Sequence, residues 1–198
     1  MEQADDLAFL KRKSSRVTQF DDELARLVED MFETMREANG VGVSAVQVGV
    51  LRRVVAMEIP GEYEEQEDGT LVETAPPRPY VLVNPEIIKM SDERSPMFEG
   101  CLSLPGRFAD VPRAPSLVVK FRDLAGKEHR LRADEELLSQ CIQHEVDHLD
   151  GVLFTTRIVD LESFRDERDK PRRSRFRLPR REEAAGEVLT RPSGAASG

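Results

Sequence analysis

Residues 143–148, Gln-His-Glu-Val-Asp-His, place two imidazoles four positions apart, with a carboxylate directly after the first. On a helix, positions i and i+4 project from one face about one turn apart, so His144 and His148 could bind one metal ion. Glu145 would then stand at the open side of that ion as a general base. The same spacing also occurs by chance on surface helices with solvated histidines, so the surrounding sequence has to decide between the two interpretations.

The pattern around this stretch predicts a helix whose two histidines face the protein interior. Drawn at about 100° per residue, the apolar side chains share one wide arc with His144, Glu145 and His148. A separate arc of roughly 100° holds the polar residues Ser139, Gln140, Gln143, Asp147 and Asp150. Buried imidazoles and a buried carboxylate without a ligand would leave polar atoms unsatisfied, at about 1–3 kcal/mol each, so the pattern favours a metal site.

Chain length and composition favour one catalytic domain, predicted over residues 1–161, followed by a disordered tail over residues 162–198. The first residues are acidic and lack the features of a leader, and no apolar run approaches membrane-spanning length. We therefore expect a cytoplasmic protein that does not bind membranes. In that compartment Cys101 and Cys141 should stay reduced and available to a metal.

The net charge of -9 is unevenly distributed along the chain. Residues 165–181 hold nine Lys or Arg and three acidic residues, which gives this segment a charge of +6 and leaves -15 for the rest. The acidic body should not bind DNA or other nucleic acid by itself, whereas the basic segment is a candidate contact for RNA phosphate.

Hydrophobic periodicity predicts an N-terminal amphipathic helix from Asp21 to the stop signal Asn39-Gly40, after an extended lead-in over residues 1–20. Asp134 and Gly151 are expected to begin and end the helix that carries both histidines. Residues 61–79 are expected to form an acidic loop or a ragged hairpin. The expected strands are residues 51–57, 80–84, 87–90, 116–121, 128–133 and 152–159.

Two further stretches carry candidate site residues. Residues 40–47, Gly-Val-Gly-Val-Ser-Ala-Val-Gln, lack the ending of a phosphate-binding loop, so close backbone approach to some other group is favoured. Residues 99–105, Glu-Gly-Cys-Leu-Ser-Leu-Pro, offer Cys101 as the third ligand that a catalytic metal site needs. A buried cysteine without a metal is the alternative explanation for Cys101.

These three stretches, in this order, resemble the motifs of peptide deformylases, and the similarity spans about residues 20–160. The resemblance implies an α+β fold with antiparallel sheets around the metal-binding helix. It also implies an enzyme that removes the formyl group from the N-terminal formylmethionine of nascent polypeptides. The implied metal is Fe(II), bound by Cys101, His144 and His148, although Zn(II), Ni(II) and Co(II) also accept imidazole and thiolate ligands.

The resemblance further implies roles around the metal. Glu145 would take the proton of the attacking water and return it to the leaving amine. The side-chain amide of Gln47 and the backbone N–H of Leu102 would stabilise the oxyanion. Glu99 is also expected to pair with Arg113 and brace the loop of Cys101. The residues expected to contact the substrate, whose methionine enters an apolar pocket, are Val41, Gly42, Val43, Phe98, Glu99, Gly100, Leu137 and Cys141.

The chain departs from the family pattern in three places. Val43-Ser44 stands where many members have Leu-Ala, and Gln140 stands where an apolar residue is common. A basic, proline-containing tail replaces the C-terminal helix of many bacterial members, and its residues 165–181 are a candidate ribosome contact.

Two other functions are compatible with parts of this pattern. A zinc endopeptidase uses the same His-Glu-X-X-His spacing, and the stretch around Cys101 is what distinguishes it from a deformylase. A ribosome-associated binding protein with a purely structural metal is the third possibility. Structural sites are usually closed by four protein ligands, so three ligands and an oxyanion donor favour catalysis.

Overall fold

The computed structural model describes residues 4–66 and 68–168, which adopt the expected α+β fold. Within these residues the α-helices are α1 (Ala4–Leu10), α2 (Asp22–Glu37) and α3 (Glu136–Leu149). The strands are β1 (Gly42–Ser44), β2 (Val54–Ile59), β3 (Glu62–Glu65), β4 (Leu71–Ala75), β5 (Arg78–Met90), β6 (Ser95–Cys101), β7 (Leu104–Arg113), β8 (Leu117–Arg122), β9 (Glu128–Ala133) and β10 (Arg165–Asp166). Short 3-10 helices occupy Ala45–Val48, Phe154–Thr156 and Leu161–Ser163.

Helix α2 is the predicted amphipathic helix. The carboxylate of Asp21 accepts a hydrogen bond from the backbone N–H of Leu24 at 3.0 Å and so caps the first turn. Past the other end, Asn39 adopts a positive φ of 54°, which is typical of the residue that follows a helix. The buried side chains of α2 are Leu24, Val28, Met31 and Met35, at the spacing that the sequence indicated.

Five strands form the central sheet in the order β1-β2-β5-β8-β9, and each neighbouring pair is antiparallel. Alternate side chains of β2 enter different clusters. Val55 and Met57 pack with Ile142 of α3, whereas Val54 and Ala56 pack in the cluster that contains the apolar face of α2. The sheet therefore lies between α2 on one face and α3 on the other.

A second sheet, in the order β10-β7-β6, brings Cys101 to the end of a hairpin. Cys101 and Leu104, on the two sides of its turn, are buried together with Phe154 and with Leu10 of α1. This hairpin was not among the predicted strands. Its prolines, which include the cross-strand pair Pro96 and Pro112, argued against strands here, because proline is uncommon in strand interiors.

The segment before Asp21 and the segment after α3 differ from their predictions. Residues 1–20 are not a purely extended lead-in, because Ala4–Leu10 is helical and Leu10 packs into the cluster around the Cys101 hairpin. A helix this short needs such tertiary contacts to be stable. Residues 152–159 contain a 3-10 helix rather than a strand, and this turn buries Phe154.

The predicted strands 80–84 and 87–90 are two parts of the continuous strand β5. The pairing register with β8 shifts between Val83 and Glu86, and Asn84 has a positive φ of 55°. This irregularity breaks the period-two pattern and explains why the sequence suggested two strands. The acidic segment 61–79 includes the ragged hairpin of β3 and β4, with a register shift at its start.

The N-cap of helix α3 lies one residue later than predicted. Glu135 holds the N-cap position, and the carboxylate of Asp134 instead accepts hydrogen bonds from Arg132. Gly151 follows the helix with a φ of 75°, as expected for a residue that ends it.

Three of the five residues on the polar arc of α3 are buried, namely Ser139, Gln143 and Asp147. Ser139 donates a hydrogen bond to the carbonyl oxygen of Ala114 at 2.8 Å. The side-chain amide of Gln143 bonds to both the N–H and the carbonyl oxygen of Ala114, at 3.1 and 2.9 Å. The helix is therefore enclosed on two sides, by apolar packing on the central sheet and by polar contacts on the segment after β7.

Contacts gather the described residues up to Glu167 into one compact unit, which extends beyond the predicted boundary at residue 161. β10 pairs with β7, and the N–H of Glu167 bonds to the carbonyl oxygen of Gly106 at 2.7 Å. Most of the predicted tail, from residue 169 onward, lies outside the described residues. In the part of the chain that is described, no helix has the length and apolar character needed to cross a membrane.

Candidate active site

Helix α3 and the end of β6 bring three potential metal ligands together. One ligand atom from each of Cys101, His144 and His148 lies within 4.8 Å of the others. The Sγ atom of Cys101 and the Nε2 atom of His148 are 3.2 Å apart, and the two Nε2 atoms are also 3.2 Å apart. Two imidazole nitrogens and one sulfur form a donor set that suits a divalent transition metal.

Hydrogen bonding fixes which nitrogen of His144 can serve as a ligand. Its Nδ1 atom lies 2.9 Å from Oε2 of Glu99 and donates to that carboxylate, which leaves the Nε2 lone pair facing the cluster. Burial of His144 opposes its protonation, but the hydrogen bonds with Cys101 and Glu99 outweigh burial and raise its pKa well above the usual value. The same anionic surroundings favour a cation bound by these residues.

The environment of His148 is determined mainly by its burial. It is 1% exposed, and burial with the neighbouring His144 lowers its pKa to about 3, so the ring is a neutral ligand at physiological pH. Among the described residues, its Nδ1 atom has no hydrogen-bond partner. His148 therefore lacks the anionic support that His144 receives from Glu99.

A buried network of charges supports the His144 side of the site. Arg113 donates to both carboxylate oxygens of Glu99, at 2.6 and 3.1 Å, and to Oδ2 of Asp147 at 2.7 Å. Arg157 donates to both oxygens of Asp147, at 3.2 and 2.7 Å. Although burial favours the neutral carboxyl group, the bonds from His144 and Arg113 lower the pKa of Glu99. The expected pair of Glu99 and Arg113 is thus part of a longer chain of ion pairs.

Glu145 lies next to this cluster but is not among the three grouped ligands. It is 3% exposed, and burial raises the pKa of its carboxyl group above the usual value. Its Oε2 atom accepts a hydrogen bond from the hydroxyl of Ser44 at 2.6 Å. A Cβ atom at Gly42 would come within 2.8 Å of Oε1 of Glu145 and 2.6 Å of the Sγ atom of Cys141. Gly42 therefore leaves room for the carboxylate itself.

The amide of Gln47 is oriented by its neighbours. Its oxygen accepts a hydrogen bond from the backbone N–H of Ser44 at 2.8 Å. Its nitrogen therefore points at the Cys101 hairpin, where it donates to Ser103 at 3.1 Å and lies 3.7 Å from the sulfur of Cys101. Leu102 occupies the turn between these two residues, and its side chain contacts Gly40. The two predicted oxyanion donors thus come from segments that meet at Cys101.

The remaining predicted substrate contacts fall into two groups. Phe98 and Leu137 are exposed, at 46% and 38%, and a hydrogen bond of 2.9 Å from the Gln140 amide to the carbonyl oxygen of Phe98 links their two elements. A Cβ atom at Gly100 would collide with the ring of Phe108, so a larger side chain there would disturb the hairpin surface.

The other group lies closer to the core. Val41 is partly buried against the cluster around α3, whereas the side chain of Val43 lies in the cluster that includes α2. Burial raises the pKa of the Cys141 thiol well above its usual value, so this cysteine remains protonated, unlike a metal ligand. Val43 can line a pocket near Glu145 with its backbone but not with its side chain.

Sequence reasoning missed Ser44, Asp147 and Arg157 as parts of this site. Ser44 was noted as a departure from a family pattern, and that departure was the available signal for its hydrogen bond to Glu145. Asp147 lies in the motif itself but was assigned to the polar arc of the helix. Arg157 follows the helix in a segment for which a strand was predicted, so nothing linked it to Asp147.

Comparison with known proteins identifies relatives across almost the whole described region. The family model for polypeptide deformylase matches residues 3–164. A peptide deformylase from Chloroflexus aurantiacus is 53% identical over 166 residues, which cover 84% of this chain and 88% of that protein. The crystal structure of peptide deformylase from Ehrlichia chaffeensis is similar with a TM-score of 0.65 and 37% identity, covering 78% of this chain and 84% of that one.

Proposed function

The chain belongs to the peptide deformylase family, hydrolases that remove the N-formyl group from nascent peptides, and we propose how its residues divide the work of that reaction. Cys101, His144 and His148 hold the metal, Glu145 moves the proton, and Gln47 and Leu102 stabilise the oxyanion. The proposal is supported above all by one observation: a buried carboxylate directly beside a sulfur and two imidazole nitrogens that converge within 4.8 Å.

We propose Fe(II) as the metal, while the same donor set also accepts Zn(II), Ni(II) or Co(II). A divalent ion held by Cys101, His144 and His148 would lower the pKa of a water molecule and would polarise the carbonyl oxygen of the formyl group. The hydrogen bond from Nδ1 of His144 to Glu99 orients the ring, so that in its neutral form the Nε2 lone pair is the one available to a metal. Metal analysis of protein purified without oxygen would identify the ion.

Glu145 accepts the proton of the attacking water and returns it to the leaving amine. A buried carboxylate suits this transfer, because burial raises the pKa of Glu145 above the usual value and so makes it a stronger proton acceptor. Glu145→Gln should therefore retain the metal but lose about 10²–10⁴-fold in turnover. Loss of metal in this variant, or near-normal turnover, would contradict the role.

The Gln47 amide and the Leu102 N–H donate hydrogen bonds to the negative oxygen that forms when the formyl carbon is attacked. Support for Gln47 comes from the bond between its oxygen and the N–H of Ser44, which directs its amide nitrogen to the Cys101 hairpin, beside the ligand atoms. A single strong donor of this kind contributes about 2.7–4 kcal/mol. The proposed contact surface for formyl-Met consists of Val41, Gly42, Val43, Phe98, Glu99, Gly100, Leu137 and Cys141.

The activity itself is tested with a formyl-Met tripeptide under anaerobic conditions. Release of formate with intact peptide bonds supports the deformylase mechanism. Cleavage of internal peptide bonds would instead support the endopeptidase, and a metal-loaded protein that does neither would support a binding protein.

We propose that the enzyme meets nascent chains in the cytoplasm and that the basic segment 165–181 contacts ribosomal RNA. The support is its charge of +6 against an acidic body. Nine cations would release counterions on binding phosphate, so co-sedimentation with ribosomes should weaken as salt rises. Truncation after Arg168 preserves β10 and should abolish co-sedimentation while leaving tripeptide turnover intact. Undiminished co-sedimentation would refute the contact.

A further inference from the structure

Ser44 is fully buried at the end of β1, with its hydroxyl directed at Glu145 of α3. Its Oγ atom lies 2.6 Å from Oε2 of Glu145 and 2.9 Å from the backbone carbonyl oxygen of the same residue. A hydroxyl has one proton to donate, and the shorter distance and the negative charge both favour the carboxylate as acceptor. Ser44 therefore holds one defined oxygen of Glu145.

The second oxygen of Glu145 has a different environment. A Cβ atom at Gly42 would lie 2.8 Å from Oε1, which means that Oε1 faces the bare backbone of Gly42. Successive side chains of β1 alternate, so Gly42 and Ser44 present the same side of the strand to α3 while Val43 packs with the α2 cluster. One strand thus anchors Oε2 and leaves space at Oε1.

Ser44 also touches the proposed oxyanion donor through its backbone. Its N–H donates to the oxygen of Gln47 at 2.8 Å, which turns the amide nitrogen toward Ser103 and Cys101. Ser44 therefore contacts both Glu145 and Gln47, the first through its side chain and the second through its main chain. Only the contact with Glu145 requires the serine side chain, because the backbone N–H that bonds to Gln47 is present in any residue except proline.

We propose that Ser44 is a positioning residue for catalysis: its hydroxyl holds Oε2 of Glu145 so that Oε1 is the oxygen that exchanges the proton. This inference rests on the proposed role of Glu145 as general base. An alanine at position 44 could not make this bond, so the constraint on Glu145 depends on the Ser44 side chain.

The first test compares Ser44→Ala with Ser44→Thr, which retains a hydroxyl. For Ser44→Ala we expect kcat on a formyl-Met tripeptide to fall by about 10-fold, as for a lost bond to a charged group, with KM and metal content unchanged. Ser44→Thr should recover most of kcat. Ser139→Ala is the matched control, because it also removes a buried hydroxyl that makes a hydrogen bond, in this case to the carbonyl oxygen of Ala114 and not to Glu145. It should leave kcat unchanged.

A double-mutant cycle with Glu145→Gln separates positioning from a general loss of structure. If Ser44 acts through Glu145, the hydroxyl has no base left to position, so Ser44→Ala should not lower kcat further in the Glu145→Gln background. An equal fall in both backgrounds would overturn the inference, as would full activity of Ser44→Ala. Near-normal turnover of Glu145→Gln alone would instead refute the general-base role. If Ser44→Ala fails to fold, Ser44→Cys, which keeps the size with a weaker donor, replaces it in the cycle.

Discussion

Replacement of Glu99 by glutamine tests whether the buried ion network supports the metal site. Glu99 is 3% exposed, and its carboxylate accepts three hydrogen bonds, two from Arg113 and one from Nδ1 of His144. An amide of the same size can accept at one atom only, so its NH2 group must face a donor of either Arg113 or His144. The change also removes the negative charge that is hydrogen-bonded to Nδ1 of His144.

The expected cost follows from what Arg113 retains. Removal of one partner from a buried ion pair typically costs about 3–5 kcal/mol. Here Arg113 keeps its bond to Asp147 at 2.7 Å, and the amide oxygen keeps one of the three bonds in the Oε1 position or two in the Oε2 position, so we expect about 2–3 kcal/mol. For a domain of this size that corresponds to a decrease in Tm of about 4–12 °C. Loss of the His144 partner should also weaken metal binding by about 10–100-fold.

Two measurements on Glu99→Gln check these values, thermal unfolding and competition with a metal chelator. Glu135→Gln is a matched control, because Glu135 pairs with Arg78 on the surface, where both side chains are more than 40% exposed. That substitution should change the free energy of unfolding by about 0–1 kcal/mol and leave metal affinity unchanged. If Glu99→Gln behaved like the surface control in both assays, the supporting role of the network would be wrong.

Three further substitutions test neighbouring features. Cys101→Ser should lose the metal in elemental analysis, whereas Cys141→Ser should retain it, because only the first sulfur lies among the ligand atoms; full occupancy in the first variant would exclude the thiolate ligand. Gly42→Ala should displace Glu145 and reduce kcat by about 10²-fold with the metal still bound, and unchanged kcat would show that the carboxylate has room to move. Gly151→Ala should lower the free energy of unfolding by about 1–3 kcal/mol in chemical denaturation. The residue has a φ of 75°, and a new Cβ would meet the backbone of the segment before α2. An unchanged denaturation midpoint would contradict that packing.

The sequence was informative wherever the determining contacts are local. The i and i+4 spacing of His144 and His148 placed both rings on one face of α3. The capping residue of α2, Asp21, lies three residues before Leu24, from whose N–H it accepts a hydrogen bond. The partner cysteine was different, because no local pattern links Cys101 to histidines more than 40 residues later. Its neighbouring glycine made Cys101 a candidate, and the resemblance to a family strengthened that choice.

The supporting contacts could not be predicted because they join distant positions. Ser44 and Glu145 are separated by 101 residues, and Arg113 and Asp147 by 34. A helical wheel divides a helix into polar and apolar arcs, and it cannot tell water from a buried polar partner. Asp147 appeared on the polar arc for this reason, yet its carboxylate is buried and bonded to two arginines, of which Arg113 is also buried.

Helix α3 has to satisfy two demands that would conflict on an ordinary amphipathic helix. The metal ligands and Glu145 must be shielded from water, but each carries a polar atom whose burial is costly without a partner. The fold resolves this conflict with two different elements. β1 supplies a neutral hydroxyl and a glycine to Glu145, whereas the Cys101 hairpin supplies a carboxylate to His144.

The chemical difference between these two supports matches what each side chain has to do. A charged partner is suited to a ligand, because it keeps the His144 ring in one tautomer and favours the positive ion beside it. A neutral hydrogen-bond donor is suited to a base, because it orients the carboxylate without the strong pKa depression that an arginine would cause. Arg113 forms its ion pairs with Glu99 and Asp147. The division explains how two acidic residues near one site can differ, one with a lowered pKa and one with a raised pKa.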